Sequence, residues 1–284
     1  MSRLLIKPRG AEHGELLAIT PESAGWGTIS LSFQRLARGQ AAEFALREEE
    51  AVLVMLGGKV TVQSSCGVWQ RLGGRSDIFA GMPHALYLPL GASGRFTAET
   101  ETAEAALCRC RAERPFPARL IVPAQVEVEI RGGENATRQI NHIVKPDFPA
   151  DRILVVEVYT TGGNWSSYPP HKHDVHNPPG EVDLDEIYFY KVDRPEGYAL
   201  QRLYTRDGSR DETLTVRDNE AVLIPDGYHP VVAAHGYNVY YLNVLGGSAR
   251  SMAASDDPDY AWVRGQWRVK DPRVPLVAAP AKHR

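Results

Sequence analysis

Cysteine is nearly absent from this sequence: three in 284 residues, Cys66, Cys108 and Cys110. So sparse and odd a set argues against a disulfide framework and fits a reducing cytoplasm. Cys108 and Cys110 sit two apart in "ALCRCR", where they share a strand face; with no third soft ligand nearby they read as core thiols. Long apolar runs are missing too, and none approaches the roughly 20 residues of a membrane helix. The opening "MSRLLIKPRGAEHG" has an apolar patch of three residues before Lys7, Pro8 and Arg9, too short for a signal-peptide core. There is no basic surplus. The formal net charge is −3, which gives no reason to expect nucleic acid or an anionic membrane as partner. A Gly-rich phosphate loop is absent, which disfavours phosphoryl chemistry. No amphipathic pattern runs beyond about three helical turns. What remains is ordinary globular composition, 43% hydrophobic and 24% charged, on a chain long enough for one large or two ordinary domains.

The dominant pattern is short β segments punctuated by Gly, Pro, Asn and Asp. "AVLVMLGGKVTVQ" reads as a hairpin turning at Gly57-Gly58. "HALYLPLG" and "AEAALCRCRAE" read as further strands. Beyond Pro123 come "VEVEI", "RILVVEVYT", "EIYFYKV", "YALQRLYT", "EAVLIPDG" and "NVYYLNVL". The spacing is that of all-β sandwiches and barrels. The halves echo each other: "GMPHALYLPLG" in the first matches "IPDGYHPVVAA" in the second. A duplicated β domain follows, with one domain over 1–122, a second over 123–265, and an extended tail over 266–284 whose last residues are expected to be poorly ordered.

Chemistry concentrates in the second half, in "SSYPPHKHDVHNPPGEVDLDEIYFY". On a strand, His171 and His173 point to one side and can offer two imidazoles to one point. Glu186 opens the next strong strand, with Glu181 and Asp185 as rival carboxylates. His229 follows the Pro225–Gly227 turn. Three histidines and a carboxylate would hold a divalent ion and leave positions open, as catalysis requires. Zn, Mn, Fe, Co and Ni all suit such ligands, with Zn or Mn favoured. His176 reads as a loop residue. The first half has His84 near the equivalent turn but no His-x-His and no matching carboxylate, so it is expected to be metal-free.

His-x-His, then Glu, then a Pro-x-Gly turn leading to His is the cupin pattern, and two such halves make a bicupin. The words "RGGENATRQI", "EVYTTGGNWSSYPPHKHD", "DEIYFYKV", "QRLYTRDGSRDE" and "LIPDGYHPVVAAHGYNVYYLNVLGG" resemble the 5-deoxy-glucuronate isomerases of myo-inositol breakdown, which are similar to the 4-deoxy-uronate ketol-isomerases of pectin breakdown. The sequence departs from the general cupin spelling in three places. The interval from His173 to Glu186 is longer, the turn before His229 is one residue shorter, and Ala233 stands where asparagine is often found.

The resemblance implies an aldose–ketose isomerisation of 5-deoxy-D-glucuronate to 5-dehydro-2-deoxy-D-gluconate through an enediolate. A metal would stabilise the charge on oxygen while a nearby base moves the proton. Arg138 and Arg202 are the candidate forks for the substrate carboxylate. Lys172 is a further cation, although strand alternation turns it away from the two histidines. Tyr168, Tyr228 and Tyr241 are candidates for sugar hydroxyls, and with Glu186 and His176, or a metal-bound water, for the base. Two rival readings use the same barrel: an Fe(II) dioxygenase, which would need oxygen, and a non-catalytic sugar-binding module. The expected partners are a small uronic acid and further copies of the chain, as a homodimer.

Overall fold

The structure, a computed structural model, describes residues 2–278. Strands dominate it, and the chain divides into two compact units: residues 8–127 with 143–155 and the segment from Val277 form one, and residues up to 7, 128–142 and 156–276 the other.

The unit built mainly from the first half stacks a six-stranded sheet on a four-stranded one. The larger sheet runs Arg119–Ile121, Ala85–Leu88, Glu49–Gly57, Thr102–Arg111, Ile29–Ala37, Gly14–Ile19. The smaller runs Ala41–Ala45, Ser93–Ala98, Lys59–Ser64, Gly67–Gly73. Leu53, Met55, Val60, Val62, Leu86, Phe96 and Leu107 from both sheets fill the space between them. Cys108 and Cys110 lie buried in the larger sheet, where desolvation pushes both thiols up and keeps them protonated. One expectation is corrected here. The strands on either side of Gly57-Gly58 do not pair as a hairpin. The first joins the six-stranded sheet and the second the four-stranded sheet. Gly58 makes this passage at φ +73°, and a Cβ there would stand 2.4 Å from the Thr102 carbonyl oxygen, so only glycine fits.

The other unit repeats the plan. Its seven-stranded sheet runs Leu5–Ile6, Ala221–Ile224, Leu184–Val192, Val239–Gly247, Leu154–Thr160, Arg138–Val144, Glu127–Arg131. Its four-stranded sheet runs Trp165–Ser166, Val231–Ala233, Ala199–Tyr204, Asp211–Val216. A two-stranded ribbon pairs His171–Lys172 with Ser255–Asp256. Val156, Val158, Tyr190, Leu203, Leu214, Val222, Ile224, Val231 and Tyr241 pack in its core. Each such side chain contributes roughly 1.5–3 kcal/mol by leaving water. Leu184–Val192 is central, paired to Ala221–Ile224 on one side and Val239–Gly247 on the other. A functional group on this strand is held from both flanks.

Pairing redraws the expected limits 1–122, 123–265 and 266–284. Leu5 and Ile6 lie opposite Val222 and Ala221, so the N-terminal strand extends the second-half sheet. Residues 143–155 belong to the first-half unit. The Glu50 carboxylate, fully buried, accepts from the backbone N–H groups of Asp151, Arg152 and Ile153. Part of the expected extended tail is anchored. Asp271 accepts from Asn164 Nδ2 at 2.9 Å, and the Leu276 N–H donates to Gln139 at 2.7 Å. The final residues lie outside the described ones.

Candidate metal centre and active site

The residues that matter lie at one end of the second-half unit. Glu186 is the third residue of Leu184–Val192, and alternation sends Leu184, Glu186, Tyr188 and Tyr190 to one face. The facing residues of Val239–Gly247 are Leu245 opposite Glu186, Asn243 opposite Tyr188 and Tyr241 opposite Tyr190. Asp185 points the other way. The loop after His173 returns so that Leu184 N–H donates to the His173 carbonyl at 2.8 Å. His173 thereby lies alongside Leu184, and its Nδ1 reaches the Leu184 carbonyl at 2.9 Å.

His173, Glu186 and His229 converge. Their donor atoms lie within 4.8 Å of one another, and all three side chains are buried. Glu186 Oε2 is 2.9 Å from His173 Nε2 and 3.5 Å from His229 Nε2. Glu186 Oε1 accepts from Asn243 at 2.6 Å. His229 places Nδ1 3.0 Å from the Gly227 carbonyl, while its Nε2, fully buried, has no hydrogen-bond partner. A buried nitrogen left bare beside a carboxylate is costly on its own, and a divalent cation held there would satisfy it. Two imidazoles and a carboxylate suit several divalent metals, so the residues fit the expected cofactor.

The electrostatics follow from burial. Desolvation, with help from His173, pushes the His229 imidazole down to about 4, so it stays neutral near pH 7. Burial and the neighbouring His229 and His173 push His171 well below its usual value. His173 is also disfavoured by burial, but the hydrogen bond and charge of Glu186 together outweigh this and raise it.

His171 stands at the rim of the cluster. Its ring is 4.8 Å from that of His229 and it lines the adjoining cavity, yet its nitrogens are not among the converging donors. That cavity has a volume of about 260 Å³. Arg131, Arg138, Ser167, Tyr188, Tyr241 and Arg264 share its walls with His171, His173 and Glu186. Tyr188 stacks on Tyr241 with ring centroids 4.5 Å apart. Their hydroxyls are hydrogen-bonded to Ser167 and Ser166, and burial raises both phenols, which remain neutral. Arg131 is tied to Glu129, and Arg264 to Asp256. Arg138 differs. It is 4% exposed, donates only to the carbonyls of Ala136 and Tyr168, and has no carboxylate partner among the described residues.

The other sequence candidates lie outside the converging donors. Arg202 faces away from the core, because Gln201 and Leu203 take the inner face of its strand. Its guanidinium forms two 2.7 Å bonds to Asp211 and lies 4.1 Å over the Tyr204 ring. Lys172 is paired with Asp174 and Glu181. Tyr168 turns its ring to Trp165 and Tyr260, into a separate cavity that Arg202 also lines. Tyr228 neighbours His229 and so points the opposite way, stacking on Tyr204 at 5.2 Å. Glu181 is not among the converging donors. It accepts from Lys172 and from the Asp174 and Val175 N–H groups. His176 lies on the exposed loop against Ser248. Tyr188, Asn243, Arg131 and Arg264 were not singled out from sequence. Two-residue alternation from Glu186 points to Tyr188, and Asn243 is the polar residue in an otherwise apolar strand. The two arginines carried no comparable signal.

A family model described as the KduI/IolB family matches residues 4–263. The chain belongs to the KduI/IolB family. Within that family, it is 43% identical over 265 residues to a Geobacillus kaustophilus protein named 5-deoxy-glucuronate isomerase, covering 93% of this chain and 96% of that one. The Bacillus subtilis (strain 168) protein of the same name is 37% identical over 269 residues, 93% and 99% of the two chains. Among solved structures, an IolB-like protein from Salmonella typhimurium aligns with TM-score 0.89 at 36% identity, covering 92% and 99% of the two chains. Bacillus subtilis oxalate decarboxylase, studied for its Mn(II) centers, aligns with TM-score 0.59 at 13% identity over 90% and 80%. At that identity the likeness concerns the fold alone, a bicupin.

Proposed function

We propose that the chain interconverts 5-deoxy-D-glucuronate and 5-dehydro-2-deoxy-D-gluconate, an aldose–ketose isomerisation, at the His173–Glu186–His229 cluster. The observation that carries this reading is the unpartnered, buried Nε2 of His229 beside Glu186, a residue that lines a cavity shared with Arg138, which has no acid partner among the described residues. The names of the relatives support the substrate. A divalent cation held by His173, Glu186 and His229, with His171 beside it, would act as a Lewis acid toward the adjacent carbonyl and hydroxyl oxygens of the sugar.

The chain's own residues supply the rest. Arg138, desolvated and presenting a planar fork, binds the substrate carboxylate and offsets its own burial by doing so. Tyr188 and Tyr241 remain neutral and hydrogen-bond sugar hydroxyls, with Ser167 and Ser166 fixing the rotors. Asn243 holds Glu186 Oε1, leaving Oε2 directed between the two histidines. The buried walls exclude bulk water, which strengthens each of these polar contacts.

The experiment is an anaerobic assay of the purified chain with 5-deoxy-D-glucuronate in deuterium oxide, followed by NMR. Product formation without oxygen, with solvent deuterium entering the carbon that receives the proton, is the expected result. A requirement for oxygen would replace the isomerase reading with a dioxygenase, and absence of turnover on any uronic acid would leave a binding module.

A further inference from the structure

Lys172, Asp174 and Glu181 cluster beside the ligand histidines, and the chemistry proposed above uses none of them. One of the three, Asp174, reaches the opposite loop. Asp174 Oδ2 accepts from the Gly227 N–H at 2.8 Å, across 53 positions of sequence. The next N–H along, that of Tyr228, donates to the Tyr204 carbonyl at 2.8 Å. In a trans peptide the C=O points opposite to the N–H. The Gly227 carbonyl is therefore turned away from Tyr204, and it meets His229 Nδ1 at 3.0 Å. Gly227 is the freest residue of this turn. It sits at φ +80°, and a Cβ there would come within 2.6 Å of the Tyr204 carbonyl oxygen. Left alone, glycine samples several backbone states. Asp174 pins its N–H from one side while Tyr204 pins the following peptide from the other.

We propose that Asp174 is a positioning residue for His229. By holding the Gly227 amide it aims the Gly227 carbonyl at Nδ1, which keeps the proton there and leaves Nε2 as the free donor atom. A carbonyl on the far nitrogen of a ligand imidazole fixes its tautomer and ring orientation. Lys172 and Glu181 serve the same end. Lys172 bridges the two carboxylates, and Glu181 Oε1 accepts from the Asp174 and Val175 N–H groups at 3.0 Å each, so the Asp174 side chain leaves a fixed piece of backbone. Neither loop is tied to the other by sequence proximity, so the site depends on this link to bring His229 into register with His173.

The inference rests on the metal reading for its second measurement but not for its first. The first is made on the metal-free chain with ¹⁵N-labelled histidine, using two-bond ¹H–¹⁵N spectra and a His229→Gln variant to assign the signal. His229 is expected as the single Nδ1–H tautomer in the parent and in Asp174→Asn, whose amide oxygen can still accept from Gly227. In Asp174→Ala it is expected as a mixture. The second is Zn(II) affinity by competition with a fluorescent chelator, where Asp174→Ala should bind about 10- to 100-fold more weakly and Asp174→Asn should recover most of the loss. Three results would overturn the proposal: an unchanged His229 tautomer in Asp174→Ala, Zn(II) affinity within twofold of the parent, or Asp174→Asn as impaired as Asp174→Ala. If His229→Gln itself leaves Zn(II) binding untouched, the metal reading fails, and the tautomer spectra still decide the role of Asp174. A melt of each metal-free variant excludes global unfolding as the cause.

Discussion

Replacing Arg138 by methionine separates binding from stability, because the structure sets the two effects in opposite directions. The guanidinium is buried, and desolvation pushes it down to about 10. Relative to the ordinary arginine range that displacement corresponds to roughly 3 kcal/mol of unfavourable charge burial in the free protein. Methionine, unbranched and uncharged, removes it. Against this stand two lost hydrogen bonds to the Ala136 and Tyr168 carbonyls, about 1 kcal/mol or more each when the acceptors stay buried. The net effect on the free chain is close to zero or stabilising by about 1 kcal/mol, which is a melting temperature unchanged or raised by about 2–4 °C. Substrate binding changes the sign. A buried charge pair that loses one partner costs about 2–5 kcal/mol, so kcat/KM for the uronic acid should fall by roughly 30- to 4,000-fold. A reduced analogue lacking the carboxylate should lose far less. The assay is steady-state isomerisation alongside calorimetry. An Arg138→Met variant with full kcat/KM would refute the carboxylate role, and one that melts 10 °C lower would show that the guanidinium is structural.

The remaining expectations concern the cluster and its surroundings. Glu186→Ala or His229→Ala should abolish metal retention and lower turnover by at least about 1,000-fold, with the far-ultraviolet β signature retained; metal analysis and circular dichroism test this together. Arg202→Ala should leave kcat and KM within twofold, since its bonds to Asp211 lie outside the cavity, and should cost no more than about 1 kcal/mol, read by urea titration. The Arg131 hydrogen bond, opposed by burial and aided by His142, holds the Glu129 carboxyl down at about 2. Stability from this pair is therefore present above the ordinary carboxylate value and is lost as pH falls toward about 2. Glu129→Gln should be less stable than the parent at neutral pH, and the two melting curves should converge at about pH 2.

The strands were legible because they obey a two-residue period or form continuous apolar runs. Thr102–Arg111 and Leu184–Val192 appear where "AEAALCRCRAE" and "EIYFYKV" put them. The hairpin at Gly57-Gly58 was not legible. A Gly-Gly step serves equally to turn a chain back on itself or to pass it between sheets, and the choice is made by which partners lie across the barrel. The same limit governs the site. Glu186 could be told from Asp185 by alternation, and Glu181 excluded only once its three donors were seen. For Arg202 the alternation with Gln201 and Leu203 was legible, while its pairing with Asp211 on the neighbouring strand was not. Arg264 comes from the 3₁₀ turn Ala261–Gln266, where no period relates it to the histidines.

Two of the three departures from the general cupin spelling, the long interval and the short turn, are physically compatible with the convergence of His173, Glu186 and His229. The interval between His173 and Glu186 is long, but its closure is local. Leu184 and His173 exchange contacts, Asn177 and Glu181 form an isolated bridge, and Val182 N–H donates to the Ala253 carbonyl. The cost of a longer excursion grows only logarithmically, about 0.6 kcal/mol per doubling, and these bonds offset it. The short turn before His229 has the opposite difficulty, since it has few residues with which to adjust. Its conformation must come from outside, and the long excursion supplies the carboxylate of Asp174 that fixes it. The long loop and the short turn thus meet at one hydrogen bond, from the Gly227 N–H to Asp174, and the loop supplies the anchor that the turn lacks.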